Sequence, residues 1–231
     1  MDAARVTARR LAAQSLKRGD PVGWFEPLYA AAAGNESAIQ WADMRPNPHL
    51  TEWLDRSAGQ GDGRRALVVG CGLGDDAEEL ARRGYRVVAF DVAPTAIDWC
   101  RRRFPDSAVL YEVGDVLAPP GLWFGAFDLV VEAYTLQALP PDARARAMER
   151  IAHFVAPGGT LLTIARGREP EDDPGAMPWP LTKAEFDRFR RFGLNEIGFE
   201  DYADPEDESV RRFRGTYRAD PGGVVRAPVG R

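Results

Sequence analysis

In the segment VVGCGLGDD a run of buried-strand character ends in three glycines, Gly70, Gly72 and Gly74, and a helix begins around Asp75. Small residues let backbone come close to a ligand, and a glycine turn at the carboxyl end of the first strand is where open α/β sheets bind nucleosides. A tight strand-to-helix turn with no ligand is the bland alternative. Asp91 ends the next apolar run, RVVAFD, at the same edge. An acid there accepts both hydroxyls of a ribose; it can also cap the helix that starts near Pro94, and both roles can hold together. Asp115, after the third run in YEVGD, is placed to accept from an adenine amino group, with Val92 and Val116 to sandwich the ring, or else is a simple turn aspartate.

Two features choose between adenosine ligands. The glycines stand at the first, third and fifth places of the turn, whereas the dinucleotide fingerprint needs its third glycine at the sixth, where Asp75 stands. A pyrophosphate would also meet Asp75 and Asp76 at a helix N-terminus that should be free of negative charge. S-adenosylmethionine has no phosphate and carries a sulfonium cation, so acids are tolerated there. Glu132, ending the fourth run in FDLVVE, would then lie near the methionyl ammonium or the sulfonium; a solvated strand-end carboxylate is the alternative.

The elements that must position these residues follow from periodicity. Five apolar runs, 66–70, 86–90, 108–113, 127–132 and 160–165, alternate with helical patterns DDAEELARR, PTAIDWCRRRF and PDARARAMERIAHFVA, the signature of a parallel sheet with crossover helices. A helix over 181–191 is capped by Thr182 with Glu185 three residues on. Two further β-like runs, 194–202 and 210–217, predict an antiparallel hairpin at the sheet edge. The expected fold is an α/β, Rossmann-like three-layer sandwich with a mostly parallel seven-stranded sheet, its last strand pair antiparallel, and an N-terminal helical cap.

The chain resembles the class I S-adenosylmethionine-dependent methyltransferases, and more narrowly the thiopurine and thiol/halide methyltransferase family. The resemblance runs through IQWADMRPNPHLTEWL, ALVVGCGLGDDAEELA, FDLVVEAYTLQALPPDAR, VAPGGTLLTI and GAMPWPLTKAEFDRF. It implies that Trp24 and Trp41 help cover the cofactor, that Gly70, Cys71, Gly72 and Gly74 line its methionine part, that Asp91 holds the ribose, and that Asp115 with Val116 meets the adenine. Arg144 matches a loop arginine near the substrate entrance. Residues 1–60 are then a helical cap or lid within the same domain, 61–220 the methyltransferase domain, and 221–231 a flexible tail. The expected reaction is direct displacement of the methyl group by a small-molecule acceptor, a thiol or other soft nucleophile; the alternatives are O- or N-methylation in secondary metabolism and an NAD-dependent oxidoreductase on the same architecture.

Such a displacement needs alignment and exclusion of water more than acid–base chemistry. A thiol ionises readily and needs no dedicated base. An alcohol or amine acceptor would need one, and Glu132, Tyr134 or His49 would be the candidates. His153 reads as a helix residue, Cys71 and Cys100 as packing residues, and Trp179 as lining an acceptor pocket or anchoring the flexible loop from Arg166 to Pro180. The 231-residue chain has a net charge of −5, which disfavours nucleic acid as a partner. Its two cysteines have no zinc or disulfide-framework spacing, and no apolar run reaches membrane-span length. The expectation is a cytoplasmic protein, a monomer or weak homo-oligomer, with a small-molecule substrate, no bound metal and no membrane partner.

Overall fold

The computed structural model describes residues 3–58 and 60–222; the expected tail at 221–231 lies almost wholly outside the described residues. Seven strands form one sheet: β1 (Arg65–Val69), β2 (Arg86–Asp91), β3 (Leu110–Val113), β4 (Phe127–Ala133), β5 (Val155–Arg166), β6 (Leu194–Asp204) and β7 (Asp207–Ala219), in the order β3-β2-β1-β4-β5-β7-β6. The helices are α1 (Ala3–Lys17), α2 (Phe25–Ala32), α3 (Pro48–Trp53), α4 (Asp75–Arg82), α5 (Pro94–Arg103), α6 (Pro141–Phe154), α7 (Lys183–Phe186) and α8 (Arg188–Arg191). This is the predicted mostly parallel sheet with an antiparallel last pair and helices around it.

The chain divides into two compact units. One takes the residues through Gly63 together with Gly70–Asp115; the other takes Arg64–Val69 and the chain from Val116 onward. In the first, β2 and β3 run parallel with Asp91 opposite Val113. Helix α5 starts at Pro94, whose fixed φ suits the first helical position, and ends in three arginines that complement the carbonyl end of the helix. The α2 residue Glu26 accepts from both the amide and the hydroxyl of Thr95, at 2.9 and 2.5 Å, and so ties α2 to the start of α5.

In the second unit β1, β4 and β5 are parallel neighbours, with Val69 opposite Glu132 and Glu132 opposite Thr163. The antiparallel β7 lies between β5 and β6. Strand order reverses at β1, which places the carboxyl ends of β1 and β4 at the topological switch point. Side chains of Phe127, Phe154, Phe186, Phe189, Phe213 and Tyr217 fill the core, and the Tyr217 hydroxyl donates to the carbonyl of Phe186 at 3.0 Å.

Three boundaries differ from the sequence reading. Strand β3 starts at Leu110, not at 108, because the Ser107 hydroxyl accepts the amide of Val109 and donates to Glu78, which keeps that stretch in a turn. Strand β5 starts at Val155, earlier than 160, because Val155 already pairs with Phe127 before an irregularity at Gly158 and Gly159. There a Cβ at Gly159 would come within 2.9 Å of two carbonyl oxygens, so only glycine fits. The expected helix over 181–191 is two short helices, since Arg190 donates back only three residues, to Asp187, and the coil tightens there.

Thr182 caps α7 with a complete capping box: its side chain accepts the Glu185 amide while Glu185 accepts the Thr182 amide at 2.9 Å. Thr182→Ala is expected to lower stability by about 1 kcal/mol in urea unfolding; an unchanged midpoint would show that the cap contributes nothing.

Candidate functional site

The glycine turn belongs to the first unit. Gly70, Gly72 and Gly74 have φ of 62°, 56° and 93°, the left-handed region in which only glycine is unstrained. The amide of Cys71 donates to the Phe90 carbonyl at 2.8 Å, and the amide of Gly72 donates to the Asp91 carboxylate at 3.1 Å. The other Asp91 oxygen accepts the Ala93 amide at 3.0 Å, so Asp91 does cap the start of α5. Each carboxylate oxygen thus has one backbone donor and a second lone pair to offer. Asp91 is 6% exposed, and burial pushes its carboxyl up to about 6 against the pull of the Ala93, Gly72 and Val92 amides.

The turn is packed from below. Cys100 of α5 donates its thiol hydrogen to the Gly72 carbonyl at 3.2 Å, and a Cβ at Gly74 would meet the Tyr111 hydroxyl at 2.6 Å. The Cys71 thiol is pushed well above its ordinary range by its hydrogen bond with Cys100 and by burial, so it is an inert packing group. A Cβ at Gly72 would stand 3.4 Å from the Tyr29 hydroxyl and 3.8 Å from the Trp41 ring, which puts an aromatic wall beside the turn. The Trp41 indole N–H donates to Tyr29 at 2.9 Å. Trp24 is only 1% exposed, stacked at 3.9 Å on Phe25 and edge-on to Trp41 at 6.1 Å, so the half-buried Trp41 is the ring of the pair that reaches the surface.

Val92 follows Asp91 and is half-buried. Asp115, also half-buried, follows Gly114, whose amide donates to the Asp91 carbonyl at 2.9 Å; the ends of β2 and β3 are therefore side by side. The charge argument about the first turn of α4 needs correction. Asp75 is paired with Arg103 through two 2.8 Å bonds, and Asp76 accepts the Asn47 amide at 2.7 Å and is pushed up to about 6 by burial. Neither acid presents an unscreened charge, which leaves the glycine spacing as the stronger discriminator.

Val116 and the other candidates lie in the second unit, and Val116 is buried there. Glu132 is 0% exposed and is not the solvated carboxylate considered above: one oxygen accepts the Leu136 amide at 2.9 Å, the other the Thr163 hydroxyl at 2.5 Å. Arg144 lies within α6, not in a loop, and is 2% exposed. It donates to the carbonyls of Leu136, Leu139 and Trp179 and to the Glu185 carboxylate at 2.6 Å. It is a staple between α6, the turn after β4 and the segment entering α7. The 166–180 loop is tied as well: Arg168 donates to the carbonyls of Glu169, Pro170, Asp172 and Pro180, and the Trp179 amide donates to the Gln137 carbonyl at 2.7 Å. His49 is buried in α3. Tyr134 directly follows β4, is half-buried, and has a φ of 69°, an uncommon conformation for a side chain of that size.

Sequence reasoning missed Tyr29 and Thr163. Each acts through a partner from another segment, Trp41 for Tyr29 and Glu132 for Thr163, so spacing did not single them out. Among the described residues no cluster of three or more His, Cys, Asp or Glu could hold a metal ion, and no helix is long and apolar enough to cross a membrane.

The glycine turn pinned to a strand-end acid, on a seven-stranded sheet of this order, defines a class I methyltransferase fold. A family model described as a methyltransferase domain matches residues 66–159. The chain is 26% identical to the 2-heptyl-1-hydroxyquinolin-4(1H)-one methyltransferase of Mycobacteroides abscessus over 70% of this chain and 71% of that relative. It is also 26% identical to an Arabidopsis thaliana protein named "Probable thiol methyltransferase 2", over 71% of this chain and 70% of the relative. The solved structure of Burkholderia thailandensis 1,6-didemethyltoxoflavin-N1-methyltransferase, with bound 1,6-didemethyltoxoflavin and S-adenosylhomocysteine, has the same fold. It superposes with a TM-score of 0.61 at 19% identity, covering 94% of this chain and 88% of that one. The chain carries a methyltransferase domain on a class I fold and is an S-adenosylmethionine-dependent methyltransferase.

Burial pushes the Glu132 carboxyl from 4.5 up to about 7, against the pull of the Thr163 hydroxyl, the Leu136 and Thr135 amides and the charge of Arg144. The folded carboxyl holds its proton more tightly than the unfolded one, so its contribution is complete below about pH 4.5 and is lost as pH rises through 7. Between pH 4.5 and 8, the stability difference in urea between wild type and Glu132→Gln should move in the variant's favour by about 3 kcal/mol. A difference that stays flat with pH would mean that Glu132 does not titrate in this range.

Proposed function

We propose that the protein moves the methyl group of S-adenosylmethionine to a small acceptor that reacts as a soft, readily ionised nucleophile, a thiol in the first place. The observation that carries this reading is that Glu132, the acid at the end of β4, is fully buried and committed to the Leu136 amide and the Thr163 hydroxyl. A general base must reach the proton it removes; Glu132 has both oxygens engaged and no exposure. An acceptor that arrives ionised, or ionises with little help, needs no such group. The Mycobacteroides relative is named for a hydroxyquinolone, so an acidic hydroxyl on a heteroaromatic ring is the second acceptor class.

The residues of the glycine turn suit the cofactor. The free lone pairs of Asp91 match two vicinal ribose hydroxyls, and the space that a Cβ at Gly72 would fill, bounded by Tyr29 and Trp41, suits a ligand that runs along backbone. S-adenosylmethionine supplies an electrophilic methyl on a positively charged sulfur. Asp91 holds the ribose, Gly72 and Gly74 let the chain pass close to the methionine part, and Trp41 presents an aromatic face of the kind that attracts a sulfonium. Asp115 accepts from the adenine amino group, with Val92 beside the ring. Trp24 backs Trp41, and residues 1–60 serve as the helical cap of this site.

Asp91→Ala leaves two ribose hydroxyls unpaired and should weaken S-adenosylhomocysteine binding by about 2–3 kcal/mol in calorimetry. Because the ionised carboxylate is the acceptor and its proton is held up to about 6, wild-type affinity should also fall from pH 7.5 to pH 5. Unchanged affinity in the variant sinks the ribose assignment, and tighter binding of NADH than of S-adenosylhomocysteine would favour the oxidoreductase reading. Methyl-labelled S-adenosylmethionine with thiophenol, iodide, a thiopurine and phenol tests the acceptor; thiophenol should turn over faster than phenol at pH 7, and the reverse order would exclude the soft-nucleophile reading.

A further inference from the structure

Strand β6 ends the sheet on one side: β7 pairs with one of its edges, and among the described residues no strand pairs with the other. It is 11 residues long and lies wholly within the second unit. An edge of that length offers a row of amides and carbonyls to another strand, and bare charges, prolines or bulges ordinarily protect it. Here the strand contains no proline, and its acids are all neutralised from within the chain. Glu196 is paired with Lys183 and Arg190, Glu200 with Arg214, Asp201 with Arg211 and Asp204 with Arg212. The bulge falls at Ile197, left over between the Glu196–Tyr217 and Gly198–Thr216 pairs, and it leaves that isoleucine 51% exposed.

The two ends of this edge carry opposite charge. At its start the Arg190–Glu196 pair ties α8 to the strand, and Arg188, Arg191 and Arg218 have no ion pair among the described residues. Arg218 is exposed and faces Asn195 in the register. At the far end the exposed hairpin tip carries Glu206, Asp207 and Glu208. Beside that end Arg211 holds Glu169, which leads into the acidic run Glu171, Asp172 and Asp173. A strand of 11 residues spans roughly 35 Å, several times the ~8 Å over which charges act in physiological salt. The two ends therefore cannot neutralise each other within one chain. Antiparallel pairing with the same strand of another copy lays each end on its opposite.

We infer that the free edge of β6 docks a second copy of this chain, strand against strand, across a two-fold axis. The symmetry puts one residue of each strand opposite itself. The regular stretch between the bulge and the irregularity at Ala203–Asp204 is 198–203, and its end residues lie beside those irregularities. An axis at Glu200 or Asp201 would set like charges directly opposite. One at Tyr202 would set Phe199 against a proline, Pro205 of the partner subunit, which cannot donate to a ladder. An axis at Phe199 sets two aromatic rings opposite, a favourable cross-strand pair. Phe199 is half-buried, packed at 5.7 Å on Phe186 and 5.1 Å on Phe213, and the opposing ring covers the part that remains open. The same register brings the arginines of α8 toward the partner's acidic hairpin tip. The contact is isologous and closes at two copies. It is independent of which acceptor is methylated.

Sedimentation equilibrium of the full-length protein from about 1 to 100 μM tests the edge. Wild type should approach twice its 25.5 kDa mass. Its dissociation constant should rise at least about 10-fold between roughly 0.05 and 0.5 M NaCl. Ile197→Lys places a bare charge on the edge, and Arg191→Glu removes a complementary one; each should weaken the dimer at least about 10-fold. Combining Arg191→Glu with Glu208→Arg exchanges the charges in both copies and should recover most of the loss. Amide exchange at 198–200 in wild type should slow as protein concentration rises, a readout that needs no variant. A single-chain mass over the whole range, or a dimer indifferent to both single changes, overturns the assignment; so does exchange at 198–200 that ignores concentration.

Discussion

The bond from the Gly72 amide to the Asp91 carboxylate is the constraint on which the cofactor side depends. It joins the turn after β1 to the end of β2, and it holds only because Gly70, Gly72 and Gly74 accept left-handed φ angles that bring successive amides to the same side. Everything packed around the turn serves that conformation. Cys100 holds the Gly72 carbonyl, Tyr111 occupies the space a third side chain would need, and Arg103 binds both Asp75 and the Leu73 carbonyl. Burying Asp91 among backbone donors makes its carboxylate a preorganised acceptor; the same burial raises its affinity for a proton.

In the second unit the same device, a buried acid gripping backbone, has a structural purpose. Glu132 fixes the short turn at Leu136–Ala138 and is fixed in turn by Thr163 of the neighbouring strand. Arg144 spans carbonyls on either side of that turn and reaches the capping-box glutamate of α7, so β4, α6 and α7 are locked through polar contacts that have little water to compete with them. Groups engaged in this way are poor proton shuttles. The chemistry suggested by methyl transfer asks for few of them, and the two facts are consistent with each other.

Much was legible along the chain. Apolar runs bounded by glycine and proline marked the strands, three- and four-residue spacing marked α4, α5 and α6, and Thr182 with Glu185 marked a cap that the structure contains in full. These are local properties: strand period, helix period and capping are set by residues within a turn or two of one another. Two of the three boundaries that moved did so for nonlocal reasons, whereas the split of the 181–191 helix is local. Ser107 turned the chain toward Glu78, and Val155 found Phe127 across the sheet.

From its sequence alone the protein was determined as a parallel α/β sheet with a glycine turn and an acid at the end of the second strand, because each of those features is written in neighbouring residues. Tertiary structure alone decided which charges are spent and which are available. Asp75 looked like a bare acid and is neutralised by Arg103; Arg144 looked like an entrance residue and is a buried staple. The physical reason is that a side chain's free energy depends on burial and on partners tens of residues away, and no short-range pattern records who those partners are.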